Sequence, residues 1–341
     1  MLTERVEFSD VAQMISVFGT HDVNIKNIES RLSVSISARN GGIEVSGEDG
    51  RVQKAVEAIE ALKRMIDSGC EADETLVDQA MDIAEDGQVE DSLIAMGDVV
   101  AITNRGKPVK CRTLGQKKYV KALEDNTITI CIGPAGTGKT YLAVASAVNA
   151  LRDKRIERIV MSRPAIEAGE ERLGFLPGDL QSKVDPYLRP LYDALYDMLG
   201  HEQVEKYREN GTIEIAPLAY MRGRTLNSCC LIIDESQNAS FSTLKLALTR
   251  LGEGSKMILT GDITQIDLPM KDKSGLEKCA EILKNIDDIG VVYLSNKDVV
   301  RHKLVKDIVK AFEREEEKQL RRSAEQKKYY RKTDSPAHGR R

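Results

Sequence analysis

Gly133, Pro134, Ala135, Gly136, Thr137, Gly138, Lys139 and Thr140 follow the spacing GxxxxGK[ST] without deviation. The apolar run Ile128 to Ile132 directly precedes them and a helical pattern directly follows. Glycines at this spacing let the backbone turn until several amides point into one concavity, and the start of the next helix adds its positive end. Such a cradle suits the β- and γ-phosphates of a nucleoside triphosphate. Lys139 would then neutralise the phosphates, and Thr140 would place its hydroxyl on Mg2+. The plain alternative is a glycine-rich turn that binds nothing, and the strand before and helix after weigh against it.

Two further clusters fit the same chemistry. The apolar run from Cys229 to Ile233 ends in Asp234 and Glu235. Side chains on a strand alternate between faces, but at its end the chain turns, so both acids can face one crevice. Asp234 then reads as the magnesium partner and Glu235 as the general base that deprotonates the attacking water. An acidic pair capping the next helix would look alike if the glycine loop were missing. Gln265, a few residues beyond the run Lys256 to Thr260, carries an amide that both donates and accepts, which suits a residue touching water and γ-phosphate together. A simple Gly261-Asp262 turn is the competing reading. Upstream, on a short helix before the first strand, Gln116 could read an adenine edge and Tyr119 could stack on the ring, although ordinary surface-helix residues would look the same.

These residues need a scaffold that brings strand ends together. From about residue 105 to 312, apolar strands alternate with amphipathic helices, which predicts an α/β domain with a mostly parallel sheet covered on both faces. Expected helices span 140 to 152, 178 to 199, 241 to 251, 275 to 284 and 301 to 315. Residues 1 to 70 read as a small α/β module. Residues 71 to 104 read as an acidic helical linker, since no Lys or Arg stands between Arg64 and Arg105. Residues 316 to 341 read as a disordered basic tail, leaving 105 to 315 as the principal domain.

Bulk properties narrow the classes. The chain has 341 residues, with 50 Lys plus Arg against 54 Asp plus Glu, so its net charge of -4 gives no global sign of a nucleic-acid partner. Six cysteines without CxxC spacing argue against a disulfide or zinc framework. No apolar run approaches membrane-spanning length and no secretory segment opens the chain, which leads to the expectation of a cytoplasmic protein without membrane contact.

Taken together, the chain resembles the PhoH family of ATPases, in particular bacterial members with an added N-terminal module. The resemblance rests on Gln116 with Tyr119, on GPAGTGKT, and above all on the specific run from Ser162 to Asp179, SRPAIEAGEERLGFLPGD. Met221-Arg222-Gly223-Arg224-Thr225, LIIDESQN, TGDITQID and Asp298-Val299-Val300-Arg301-His302 complete it. The family is similar to the nucleotide-binding half of superfamily-one helicases. That likeness implies a RecA-like P-loop NTPase sheet, ATP with Mg2+, and a role in RNA metabolism with RNA as partner. It carries the roles given above to Lys139, Thr140, Asp234, Glu235, Gln265 and Gln116. Residues 15 to 68 resemble a KH-type nucleic-acid module, with Gly19-Thr20-His21-Asp22 in the place of its GxxG loop. The fourth position departs, because the Asp22 carboxylate would repel the sugar-phosphate backbone that such a loop clamps. A KH-shaped docking domain for a protein is the alternative.

A two-lobed motor closes both lobes on one ATP, yet too few residues follow the last apolar run, GVVYL, to build a second lobe. An arginine supplied by a neighbouring subunit would complete the site, which predicts a homo-oligomer, with Arg163, Arg222, Arg224 and Arg301 as candidates. Each competes with an ordinary intrachain ion pair. The leading expectation is an ATPase that remodels RNA or ribonucleoprotein, with helicase activity or a ribonuclease or ribosome-maturation protein alongside. The rival from another class is a nucleotide-dependent switch or adaptor. A small-molecule kinase fits less well, since a water-activating Glu235 would waste ATP.

Overall fold

A computed structural model describes residues 2–39, 41–67, 74–86, 99–164, 180–268 and 274–300, together with Leu304, Val305, Ile308 and Phe312. The first elements are β1 (Leu2–Glu7), α1 (Val11–Phe18), α2 (Val23–Leu32), β2 (Ser35–Arg39), β3 (Gly42–Gly47) and α3 (Asp49–Asp67). The strands form an antiparallel sheet in the order β1-β3-β2. Asp10 caps α1 by accepting from the Gln13 amide, and Val52, Ala55, Ile59 and Leu62 recur on the buried face of α3.

The next helix, α4 (Glu74–Asp86), lies where the sequence suggests a linker, and it is part of this module. Val77, Ala80, Met81 and Ala84 repeat at i, i+3, i+4 and i+7, and all four are buried in the same core as α3. On its polar side, Arg31 of α2 pairs with Asp78 and Asp82, one turn apart. The helix is acidic on one face and apolar on the other, so its lack of basic residues hid an ordinary amphipathic pattern. Residues 99 to 104 likewise belong to a packed element rather than a linker. The antiparallel pair β4 (Val99–Ile102) and β5 (Pro108–Lys110) contributes Val100, Ala101 and Val109 to the core of the following domain.

That domain continues with α5 (Leu114–Asp125), β6 (Ile128–Ile132), α6 (Lys139–Arg152), β7 (Arg158–Arg163), α7 (Leu180–Leu199) and α8 (His201–Glu209). It ends with β8 (Ile213–Pro217), β9 (Cys229–Ile233), α9 (Phe241–Leu248), β10 (Lys256–Gly261), α10 (Leu276–Leu283) and β11 (Ile289–Tyr293). Six strands form one parallel sheet in the order β11-β6-β10-β9-β7-β8. Alternate residues feed two separate cores. Cys131, Ile159, Met161, Cys230, Ile232 and Ile258 pack with α5, α6 and α7. Ile130, Ile132, Val160, Leu231, Ile233, Met257 and Leu259 pack with α9 and α10. This two-sided burial is why the strands read as unbroken apolar runs. Burial also pushes the Cys230 thiol up to about 12, so it rests as an inert core thiol.

The expected α/β architecture is therefore present. The pair β4–β5 and the helix α8 were not anticipated, and α9 is shorter than expected. Most of the expected final helix, the basic tail and the run from residue 165 to 179 lie outside the described residues. Among the described residues no helix is long and apolar enough to cross a membrane.

Met81→Ala should lower stability by about 2–5 kcal/mol in urea unfolding, since it empties a fully buried site. Asp78→Ala, which breaks a partly exposed ion pair, should cost no more than about 1 kcal/mol. Near-neutral values for both would mean that α4 is not packed as described.

Candidate nucleotide-binding site

Strand order places β10 between β6 and β9, so three loops emerge side by side at the carboxyl ends of these strands. The first runs from Gly133 to Gly138. Gly136 and Gly138 adopt left-handed φ of 85° and 81°, and a Cβ on Gly133 would stand 2.7 Å from that of Leu294. Glycine is thus required for conformation at two positions and for space at a third. The Gly133 amide donates to Gly261 O at 3.0 Å, tying this loop to the end of β10. Lys139 opens α6 almost buried, and its amine donates to Gly133 O at 2.6 Å and Pro134 O at 2.9 Å. Burial lowers the pKa of that amine, while Asp262, Glu235 and Asp234 pull it back up.

Other elements brace the loop from outside. The Gln116 amide donates to Thr137 O at 3.0 Å, Tyr119 Oη donates to Lys139 O at 3.3 Å, and the Val300 amide donates to Gly136 O at 2.9 Å. Asp298 accepts from the Thr113 hydroxyl at 2.6 Å, and Thr113 in turn caps α5, the helix that carries Gln116.

At the end of β9, Asp234 is 2% exposed and accepts at Oδ1 from the hydroxyls of Thr140 and Thr260, both at 2.6 Å. Its Oδ2 accepts from Arg163, from Nε at 2.9 Å and from Nη2 at 2.6 Å. Glu235 follows with a left-handed φ of 54°, the turn that lets two consecutive acids face the same cleft. The cleft has a volume of about 270 Å³, and its walls include Gly136, Lys139, Thr140, Asp234, Glu235 and Gln265. One buried oxygen there, Asp262 Oδ2, has no hydrogen-bond partner. A larger hollow of about 530 Å³ beside Arg152 and His201 is more open, and Arg152 there is taken up by the carbonyls of Ile102 and Met198.

The structure thus brings together Lys139, Thr140, Asp234, Glu235 and Gln265, as their spacing suggested. It does not place Gln116 or Tyr119 as base-reading groups. Besides donating to Thr137 O, the Gln116 carboxamide accepts from the Arg112 amide at 2.7 Å, so both of its ends are committed under the loop. Tyr119 is fully buried and has no face for a base to stack on. Of the four candidate arginines, Arg163 pairs with Asp234 within the chain. Arg224 forks onto Glu214 at 2.5 and 2.6 Å and holds that carboxyl below its ordinary pKa. Arg222 is exposed, and Arg301 lies outside the described residues.

One residue, quoted in the sequence only within LIIDESQN, has no role of its own there. Gln237, wholly buried, donates through Nε2 to Glu235 Oε2 at 2.5 Å and to Gln265 O at 3.0 Å, and accepts from the Asp262 amide at 3.0 Å. It joins the acid after β9 to the loop after β10. A glutamine two residues past an acidic pair offers no pattern that distinguishes this role.

Residues suited to a metal follow from the donor set. Among the described residues no group of three or more His, Cys, Asp or Glu side chains could hold an ion. A hydroxyl and one carboxylate, Thr140 and Asp234, instead match Mg2+ that keeps its waters and is shared with phosphates.

Residues 108–313 match the family of PhoH-like proteins. The PhoH-like protein of Bacillus subtilis (strain 168) is 48% identical over 315 residues, covering 92% of this chain and 98% of that protein. That of Mycobacterium leprae (strain TN) is 48% identical over 307 residues, covering 90% and 87%. Protein PhoH of Escherichia coli (strain K12) is 41% identical over 228 residues, 65% of this chain and 64% of its own length. Among solved structures, the large terminase of a thermophilic bacteriophage matches with a TM-score of 0.32 at 14% identity, covering 57% of this chain and 49% of the terminase. At that score the likeness carries no functional weight.

Tyr119→Phe should leave nucleotide affinity in calorimetric titration unchanged while lowering stability by about 1 kcal/mol, the worth of one hydrogen bond. A clear loss of affinity would restore the ring to the binding site.

Proposed function

Because the chain belongs to the PhoH family, we propose that it is a cytoplasmic, Mg2+-dependent ATPase that acts on RNA or ribonucleoprotein. The hydrogen bond from Thr140 to Asp234 carries this reading, since it sets the loop hydroxyl and the strand-end carboxylate on one spot beside the phosphate cradle. With nucleotide bound, Mg2+ would neutralise phosphate charge, and Thr140 and Asp234 are the residues that would hold it.

The remaining steps belong to the protein. Lys139 turns from the Gly133 and Pro134 carbonyls to the phosphates, whose charge repays the desolvation of its amine. Glu235 takes a proton from water aimed at the γ-phosphate. Its half-exposed position suits water access, and the bond from Gln237 fixes one of its oxygens. Gln265 orients the same water from the neighbouring loop, as its place in the cleft wall allows.

The RNA side of the proposal rests on the family, on the KH-like reading of residues 1 to 70, and on the basic residues from Lys318 onward. With Arg163 and Arg224 engaged within the chain, Arg222 and Arg301 remain as donors to a neighbouring subunit of a homo-oligomer. One observation favours the adaptor reading. Asp22 ends the Gly19–Asp22 loop with an acid at a left-handed φ of 59°, which suits a protein partner better than a phosphate backbone.

Glu235→Gln should retain ATP binding and lose turnover by about 100-fold or more, read by calorimetry and phosphate release. Lys139→Ala should abolish nucleotide binding. Single-stranded RNA should raise the hydrolysis rate at low salt, and a flat response would leave the adaptor reading in its place.

A further inference from the structure

Asp234 has no acceptor capacity to spare. A carboxylate offers about four lone-pair sites, and Asp234 accepts from Thr140, Thr260 and twice from Arg163. To engage Mg2+ or a water bound to it, Asp234 must release one donor. Thr140 is itself the loop's metal-facing hydroxyl, and Thr260 is a neutral, fully buried group on the neighbouring strand. Arg163 differs from both. It is the charged donor, and its Nη2 also stands 3.5 Å from Glu235 Oε1, so its positive charge sits between both acids. Its side chain keeps 16% exposure against 3% for Asp234, which leaves it a way out toward solvent.

Backbone register makes this pairing unavoidable. Strands β7 and β9 run parallel with Ser162 opposite Ile233, so the residues that follow, Arg163 at the end of β7 and Asp234 just past β9, come side by side. The Asp234 amide donates to Ser162 O at 2.9 Å and locks that register.

We propose that Arg163 is the resident counter-ion of the metal site, holding Asp234 and Glu235 in position until Mg-nucleotide arrives and then yielding its place to the cation. The exchange follows from electrostatics, because a fixed positive charge on Oδ2 and a divalent cation at Oδ1 of the same carboxylate repel each other strongly in a partly desolvated cleft. Arg163 thereby sets how much Mg2+ the site needs. It is a positioning residue that acts through Asp234 and Glu235. The inference rests on the reading of the loop as a Mg-nucleotide site.

The test is a Mg2+ titration of the full chain at fixed concentration of a fluorescent ADP analogue, with wild type beside Arg163→Met and Arg163→Gln. In the neutral variants the Mg2+ midpoint should fall roughly tenfold or more, the scale of one unit charge at this distance. Nucleotide affinity in EDTA should change much less. Melting temperature in Mg-free buffer should drop in both variants, and saturating Mg-nucleotide should narrow the gap from wild type. Arg163→Gln retains a donor for Asp234 and guards against loss of folding in Arg163→Met. Arg163→Lys, with its charge kept, should leave the midpoint near that of wild type. An unmoved or raised midpoint in the neutral variants would make Arg163 a permanent brace and overturn the exchange alone. Failure of wild type to bind Mg-nucleotide would overturn the functional reading, and the exchange with it.

Discussion

The hydroxyl of Thr140 on the carboxylate of Asp234 is the contact on which the site depends. It spans from the first turn of α6, just past the glycine loop, to the end of β9, across the strand that lies between them. Thr260, at the end of that middle strand, donates to the same oxygen. Three strand ends thus converge on a single carboxylate, and a hydrogen bond to a buried charge in such a setting is stronger than one between neutral groups. A strand order that parted β6, β10 and β9 would separate these groups by at least one strand spacing, about 4.8 Å.

Around that contact the loop is held on several sides. Leu294 leaves no room for a side chain at Gly133, and Asp298 leaves none at Gly115. Through Thr113 and Gln116, Asp298 connects the segment after β11 to Thr137 O, while Val300 reaches Gly136 O directly. The phosphate cradle is therefore built by its own glycines and kept in shape by chain segments more than a hundred residues away. This preorganisation matters for a site meant to meet a highly charged ligand, because backbone amides already fixed in direction need little reorganisation on binding.

The acids are arranged by similar economy of means. Asp234 and Glu235 are adjacent, yet the left-handed turn at Glu235 gives one a buried place among hydroxyls and the other a half-exposed place beside Gln237. A non-glycine residue in this conformation costs about 1 kcal/mol. The surrounding bonds from Ser236 to Ile233 O and from Asn238 N–H to Glu235 O offset that cost. Two like residues thereby acquire different surroundings, and different surroundings suit different tasks.

By itself the sequence determined the parallel α/β class, the glycine loop and the candidacy of Lys139, Thr140, Asp234, Glu235 and Gln265. These features are local: strand, loop and helix follow one another along the chain, and apolar runs announce a sheet buried on both faces. The partners of side chains were decided only in three dimensions. Gln116 and Tyr119 stand close to the loop in the fold, but they lie beneath it, and no spacing distinguishes a residue under a loop from one facing its ligand. Arg163 and Gln237 owe their contacts to strand register and strand order, which bring together residues 71 and 28 positions apart. Helix α4 showed the opposite limit, since its acidic face dominated the composition while four apolar residues on the other face decided where it packs. Periodicity is encoded locally and survives reading one residue at a time, whereas a hydrogen-bond partner exists only once the chain has returned to meet it.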